Sequence, residues 1–188
     1  MTHHPDPRPT LGLAALLAFL SMLSPFSIDT FFPSFPAIAQ EFSLTALQLQ
    51  QTLTAYLVPY GVTMLLHGPL SDAYGRRRVI LVGVSLFTVA SLACALAPGF
   101  GTLLAFRAMQ GATAGAGLVV ARAVVRDLYA GHEAQRLMSL ITMLFGFAPA
   151  VAPVIGGWVH VAFGWRAASV FLVLLGLALV LVGWGRLP

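Results

Sequence analysis

Apolar residues along this chain fall in long runs instead of the short alternating blocks of a soluble core. Six runs can be drawn: Leu11–Phe32, Ala46–Leu66, Val79–Ala97, Leu103–Val125, Leu137–Ala162 and Ala167–Trp184. Each is long enough to cross about 30 Å of hydrocarbon as a helix rising about 1.5 Å per residue. The breaks between them are polar or helix-breaking. Residues 33–45, "PSFPAIAQEFSLT", carry two prolines and Glu41, while "APGFG" (97–101) and "FGWR" (163–166) are short turns. Short connections imply a compact bundle of antiparallel neighbours. The expected fold is therefore all-α and polytopic, with a cytoplasmic tail over 1–10 and a six-helix transmembrane bundle over 11–188.

Composition agrees. Of the 188 residues 59% are hydrophobic and 9% charged, with a mean hydropathy of +0.89, well outside the range of soluble domains. Cys94 is the only cysteine, which excludes a disulfide within the chain and a cysteine-rich metal site; it reads as a small packing residue. Arg8 ahead of Leu11–Leu23 imitates a signal peptide, but no small-x-small cleavage pattern follows and the run continues through Phe26 to Phe32. A retained first helix is expected.

The sequence pI near 10 does not point to nucleic acid, because the chain has no lysine and no basic face interleaved with stacking aromatics. It points to topology. Arg8, Arg76, Arg77, Arg78, Arg122, Arg126, Arg136 and Arg186 all fall at ends that six alternating crossings place on one side, while Arg107 lies inside a run and Arg166 stands alone opposite. Arginine excess marks the cytoplasmic face, so both termini and the second-to-third and fourth-to-fifth connections are expected there.

Two ionisable residues, Asp29 and Arg107, lie within predicted spans, where each costs about 2.5–3.5 kcal/mol at a helix centre on insertion scales. Such groups face a bundle interior or aqueous path and mark ion or substrate routes. Alternative placements are cheaper: the bracketing "SPFSIDTFFPSFP" can set Asp29 at the outer interface, and Arg107 can snorkel outward. Against snorkelling, Arg107, Gln110, Gly111, Ala114 and Gly115 recur at helical spacing as one polar, small-residue face. In the fifth span, Pro149 and Pro153 remove helix donors and Gly156 and Gly157 remove side chains, which predicts a kinked, closely packed helix. Tyr56 and Tyr60, four residues apart, share a face and either line a cavity or pack. Tyr56 and Gln110 are the candidates for a substrate cavity.

Chemistry of other kinds has no signature. There is no H-E-x-x-H pair, no G-x-S-x-G turn and no phosphate loop, so no enzyme, cofactor or metal is expected. His3 and His4 belong to the polar tail, and His67, His132 and His160 fall near span ends, where hydrated histidine is unremarkable.

Taken in order, these motifs resemble the N-terminal half of a major facilitator superfamily transporter, and within it the proton-coupled drug-efflux group of bicyclomycin- and chloramphenicol-resistance proteins. Residues 68–78, "GPLSDAYGRRR", resemble the signature loop between the second and third helices, through Gly68, Asp72, Gly75, Arg76, Arg77 and Arg78. "LLAFRAMQGATA" (103–114) resembles the fourth-helix motif around Arg107, Gln110 and Gly111. "ARAVVRDLYAG" and "APAVAPVIGGWV" resemble the next loop and the fifth-helix antiporter motif, and "SIDTFFPSFPAIA" that subgroup's first helix. Ala73 departs from a common basic residue, and Ala148 and Ala152 from glycines of the broad antiporter motif.

The resemblance implies a bacterial inner-membrane exporter that exchanges a drug-like small molecule for protons. In it Asp29 would be protonated, Arg107 would couple to it or to substrate, and the Asp72–Arg78 loop would latch the conformational cycle. Similar proteins hold substrate between two six-helix halves that rock about a midplane site and continue beyond the point matching Pro188. One half then needs a second: a missing C-terminal half, or a second copy in a homodimer. A non-transporting membrane interaction subunit or gene remnant is the remaining alternative.

Overall fold

Prolines and glycines set where the helices start and stop. The computed structural model describes residues 11–187; the expected N-terminal tail, with His3, His4 and Arg8, and Pro188 lie outside the described residues. The elements are α1 (Leu11–Asp29), a 3-10 turn (Phe32–Ser34), α2 (Phe35–Glu41), α3 (Ala46–Tyr74), α4 (Arg76–Ala95), α5 (Phe100–Leu128), α6 (Gly131–Phe163) and α7 (Trp165–Arg186). No strand occurs among the described residues.

The stretch 33–45, expected as a connection, contains α2. Pro33 and Pro36 sit in the first turns of the 3-10 turn and of α2, where a missing N–H costs nothing because it would be unpaired anyway. Prolines here start short helices instead of preventing them. At the head of α3, Thr45 Oγ1 accepts from Gln48 N and Gln48 Oε1 accepts from Thr45 N at 2.9 Å, a reciprocal cap.

The largest departure is at Gly68–Arg78. Instead of a loop, α3 continues to Tyr74 and α4 starts at Arg76, leaving Gly75 alone at φ +90° between them. That left-handed conformation suits a residue without Cβ. Hydropathy detects the part of a helix inside hydrocarbon, and nothing in the headgroup zone stops the backbone hydrogen bonds from continuing. The same reason carries α5, α6 and α7 beyond their apolar limits. Gly164, at φ +84°, makes the equally abrupt turn from α6 to α7.

Among the described residues, five stretches are long and apolar enough to cross a membrane: Gly12–Glu41, α4, α5, α6 and α7. The sixth expected crossing, α3, has the length, 29 residues, but lacks a stretch as apolar as the others, carrying Gln48, Gln50, Gln51, Thr52, Thr54, Tyr56, Tyr60, Thr63 and His67. It lies along α5, which is central and also packs on α1 and α4; α7 covers α4, and α6 covers α1.

Backbones approach closely at glycine. A Cβ on Gly111 of α5 would lie 2.0 Å from the Tyr56 carbonyl oxygen, one on Gly117 2.3 Å from that of Leu20, and one on Gly156 of α6 2.2 Å from that of Thr30. Small residues take these positions because helices in lipid associate through close packing and not through expulsion of water. Leu17, Leu20, Leu23, Phe87, Val120, Ile141 and Leu172 fill the spaces between.

Candidate functional site

Arg107 does not snorkel. It is fully buried, and its guanidinium lies 4.7 Å from the Phe31 ring centre and 4.6 Å from that of Tyr56. Nη1 donates to Gln110 Oε1 at 2.7 Å and to the Ser27 carbonyl at 3.3 Å. Gln110 Nε2 then donates to Ser91 Oγ at 2.7 Å, and Ser91 Oγ–H to the Phe87 carbonyl at 2.8 Å. One chain of polar contacts thus joins α1, α5 and α4 inside the bundle.

The sequence places these partners by helical geometry. Arg107 and Gln110, three apart, share one face of α5, and Gly111 beside them lets Tyr56 of α3 come close enough for its ring to meet the cation. Each desolvated cation–π contact contributes about 2 kcal/mol. Even so, Arg107 Nε and Nη2 have no acceptor, and no carboxylate lies within 4 Å of the group among the described residues. A buried cation with two idle donors can hold a carbonyl or anionic oxygen, and it biases the protonation of any carboxylate brought near it.

Asp29 closes α1 two residues after Ser27. It is half-buried and joins no ion pair among the described residues. The structure therefore brings the two intramembrane charges to one region through α1 without pairing them. Gln110 and Tyr56 are both buried: Gln110 is tied to Arg107, and the Tyr56 hydroxyl faces Ser24 Oγ at 3.3 Å. Tyr56 and Tyr60 stack with centroids 6.1 Å apart.

At the opposite end of α3, Arg76 gathers the signature segment. Its Nη2 meets Asp72 Oδ1 at 2.5 Å, its Nε donates to Asp127 Oδ2 at 2.8 Å, and its Nη1 donates to Ser71 Oγ. Arg77 Nη2 donates to the Trp184 carbonyl at 2.6 Å. Gly68 lies within α3, and Arg78 is exposed on α4. In α6, Pro149 and Pro153 lie inside an unbroken helix; Ala148, Ala152 and Gly156 form its buried stripe against Met22 and Phe26 of α1 and Thr30 just beyond it, whereas Gly157 faces open space. Alanine methyls at 148 and 152 fill the α1–α6 contact where the broad motif has glycine.

Three residues were not singled out from the sequence. Phe31 meets Arg107, and Ser91 meets Gln110, from other chain segments, and no local spacing announces them. Asp127 was more legible, as an acid at the arginine-rich end of the bundle. One position needs correction. His67, expected at a hydrated span end, is buried, because α3 runs two further turns and Gly115 leaves room for the ring. Arg166 pairs with an acid the sequence did not connect to it: Nη1 meets Glu41 Oε1 at 2.7 Å, and Trp165 Nε1 donates to Glu41 Oε2 at 2.5 Å.

Known proteins agree with this architecture. Residues 17–188 match the family model described as Major Facilitator Superfamily, and the chain belongs to that family. It is 43% identical over 184 residues to an uncharacterised MFS-type transporter of Bacillus subtilis, covering 97% of this chain and 46% of the relative. It is 37% identical to a bicyclomycin resistance protein homolog of Haemophilus influenzae (86% and 40% covered) and 38% to a chloramphenicol resistance protein of Pseudomonas aeruginosa (93% and 43%). The chain thus spans less than half the length of these relatives. The fold superposes on a D-xylose-proton symporter with a TM-score of 0.77 at 13% identity, over 94% of this chain and 48% of that one. A human organic anion transporter gives 0.74 at 18%, over 99% and 48%. The chain is a multi-pass membrane protein of a transporter family, with drug-resistance relatives.

Proposed function

We propose that this chain forms the N-terminal six-helix half of a proton-coupled exporter of drug-like small molecules in a bacterial inner membrane, with both termini cytoplasmic. The observation that carries the reading is the buried Arg107 cation, held by Gln110, Ser27, Phe31 and Tyr56 and left with two free donors. A packing residue would not need a charge there. The resistance relatives support drugs as the substrate class.

In this mechanism Asp29 is the proton site. Its protonation removes a charge from the end of α1, and the ligand-free and drug-bound states differ in how well they tolerate that charge, so a proton gradient biases access. Arg107 sets the local potential, Tyr56 and Gln110 hold its side chain toward the drug path, and the Asp72–Arg76–Asp127 cluster latches one conformation. The exposed face of α6 and the polar α3 supply the faces on which a second six-helix bundle rocks. Only 17% of the most apolar part of α6 is buried within the chain, which supports a partner on that face.

The test uses the complete transporter in inverted vesicles with chloramphenicol as the probe. Proton-driven accumulation is expected from the unmodified protein and at least tenfold less from Asp29→Asn. Accumulation unchanged by Asp29→Asn removes Asp29 from the mechanism.

A further inference from the structure

Outside the Arg107 network, two cavities meet at the arginine-rich end of α3 and α4. One, of about 290 Å³, runs between the helices and is lined by Leu70, Val79, Val82, Leu86, His67 and Arg78 among others. The other, of about 660 Å³, opens at the helix ends against Arg76, Arg77, Arg78 and Trp184. Tyr74, Arg78 and Val82 line both, so the two adjoin, the first an apolar arm and the second a basic mouth.

The charges in the mouth are unevenly committed. Arg76 is consumed by Asp72 and Asp127. Arg77 and Arg78 have no carboxylate within 4 Å among the described residues; Arg77 rests on Trp184, its guanidinium 5.7 Å from the ring centre. Two cations without counter-ions therefore share a concave site with two aromatics, Tyr74 and Trp184, the residue types that favour the headgroup level. In the apolar arm His67 is only 8% exposed, and its Nδ1 is a buried ring nitrogen without a partner.

We infer that this space is a binding site for one anionic glycerophospholipid of the adjoining leaflet. Its phosphate is held by Arg77 and Arg78, and one acyl chain lies along Leu70, Val79, Val82 and Leu86. Basic pockets between helices bind acidic headgroups for these reasons, and guanidinium presents paired donors to phosphate oxygens. The exposure of Leu70, Val82 and Leu86, 42%, 53% and 42%, is the surface an acyl chain covers. A zwitterionic lipid would bring an ammonium group toward two unpaired arginines, so the site selects for net negative charge. A bound lipid would bridge α3, α4 and the end of α7, across the segment that carries Asp72.

Native mass spectrometry of the detergent-purified complete transporter tests this, titrating phosphatidylglycerol against phosphatidylcholine with identical acyl chains. One molecule of phosphatidylglycerol is expected to be retained preferentially. Arg77→Gln with Arg78→Gln should erase that preference, at roughly fivefold per arginine, whereas Arg126→Gln should keep it. Val82→Trp, which fills the apolar arm, should weaken both lipids while leaving their ratio. Equal retention of the two lipids by the unmodified transporter overturns the proposal, and so does displacement by millimolar inorganic phosphate, which would make this a free-anion site. The unmodified titration stands even where a variant fails to fold.

Discussion

Arg107 and Gln110, three residues apart on α5, are bonded at 2.7 Å, and Gln110 passes the connection to Ser91 of α4 at the same distance. A cation in the middle of a bundle is thereby tied to two helices by neutral groups, with no opposite charge beside it. This arrangement lowers stability relative to an apolar side chain and concentrates positive potential at one point.

Stability and transport should therefore separate at this residue. Arg107→Met removes the desolvated charge, whose burial costs several kcal/mol, and gives up two cation–π contacts and the donor to Gln110, terms of opposite sign and similar size, so melting in detergent should move by no more than about 1 kcal/mol. Transport by the complete protein should fall at least a hundredfold. A large loss of stability would mean that the cation is structural.

Glycines in helix contacts should differ sharply by position. Gly111→Ala sets a methyl 2.0 Å from the Tyr56 carbonyl oxygen, a backbone atom that cannot step aside, and should cost about 3 kcal/mol in thermal unfolding. Gly157→Ala meets nothing within 4 Å and should be neutral or stabilising by about 0.5–1 kcal/mol. Equal effects at the two sites would contradict the observed helix contacts.

The Glu41 clamp on α7 should be modest. Arg166 and Glu41 side chains are 42% and 38% exposed, so water screens the pair, and Glu41→Gln keeps an acceptor for Trp165. The expected loss is at most about 1 kcal/mol at low salt and less in 1 M salt, readable from melting curves at the two ionic strengths.

Arg76 serves two carboxylates, so Asp72→Asn and Asp127→Asn should each cost less than about 0.5 kcal/mol, because one partner remains. Together they should cost more than the sum, since the arginine is then left with no ion pair. A double-mutant cycle on thermal stability measures that excess; strict additivity would show that the three groups do not act as a unit.

What was readable in the sequence divides along physical lines. Periodicity within one helix placed Arg107, Gln110, Gly111 and Gly115 on one face, and the structure keeps them there. Hydropathy located the long helices but not their ends, since a helix does not stop where hydrocarbon stops: hence α3 reaching Tyr74, and the burial of His67. Contacts between distant segments had no local signal, which is why Phe31 beside Arg107, Ser91 beside Gln110 and the pairing of Arg166 with Glu41 of α2 were missed.

The most direct measurement is drug-induced proton movement. Inverted vesicles carrying the complete transporter are acidified inside, chloramphenicol is added, and the lumenal pH is followed with a fluorescent dye. Exchange of drug for protons predicts an immediate loss of the gradient that requires Arg107 and disappears in Arg107→Met. A gradient unaffected by the drug in the unmodified protein, or collapsed equally by Arg107→Met, would contradict the account.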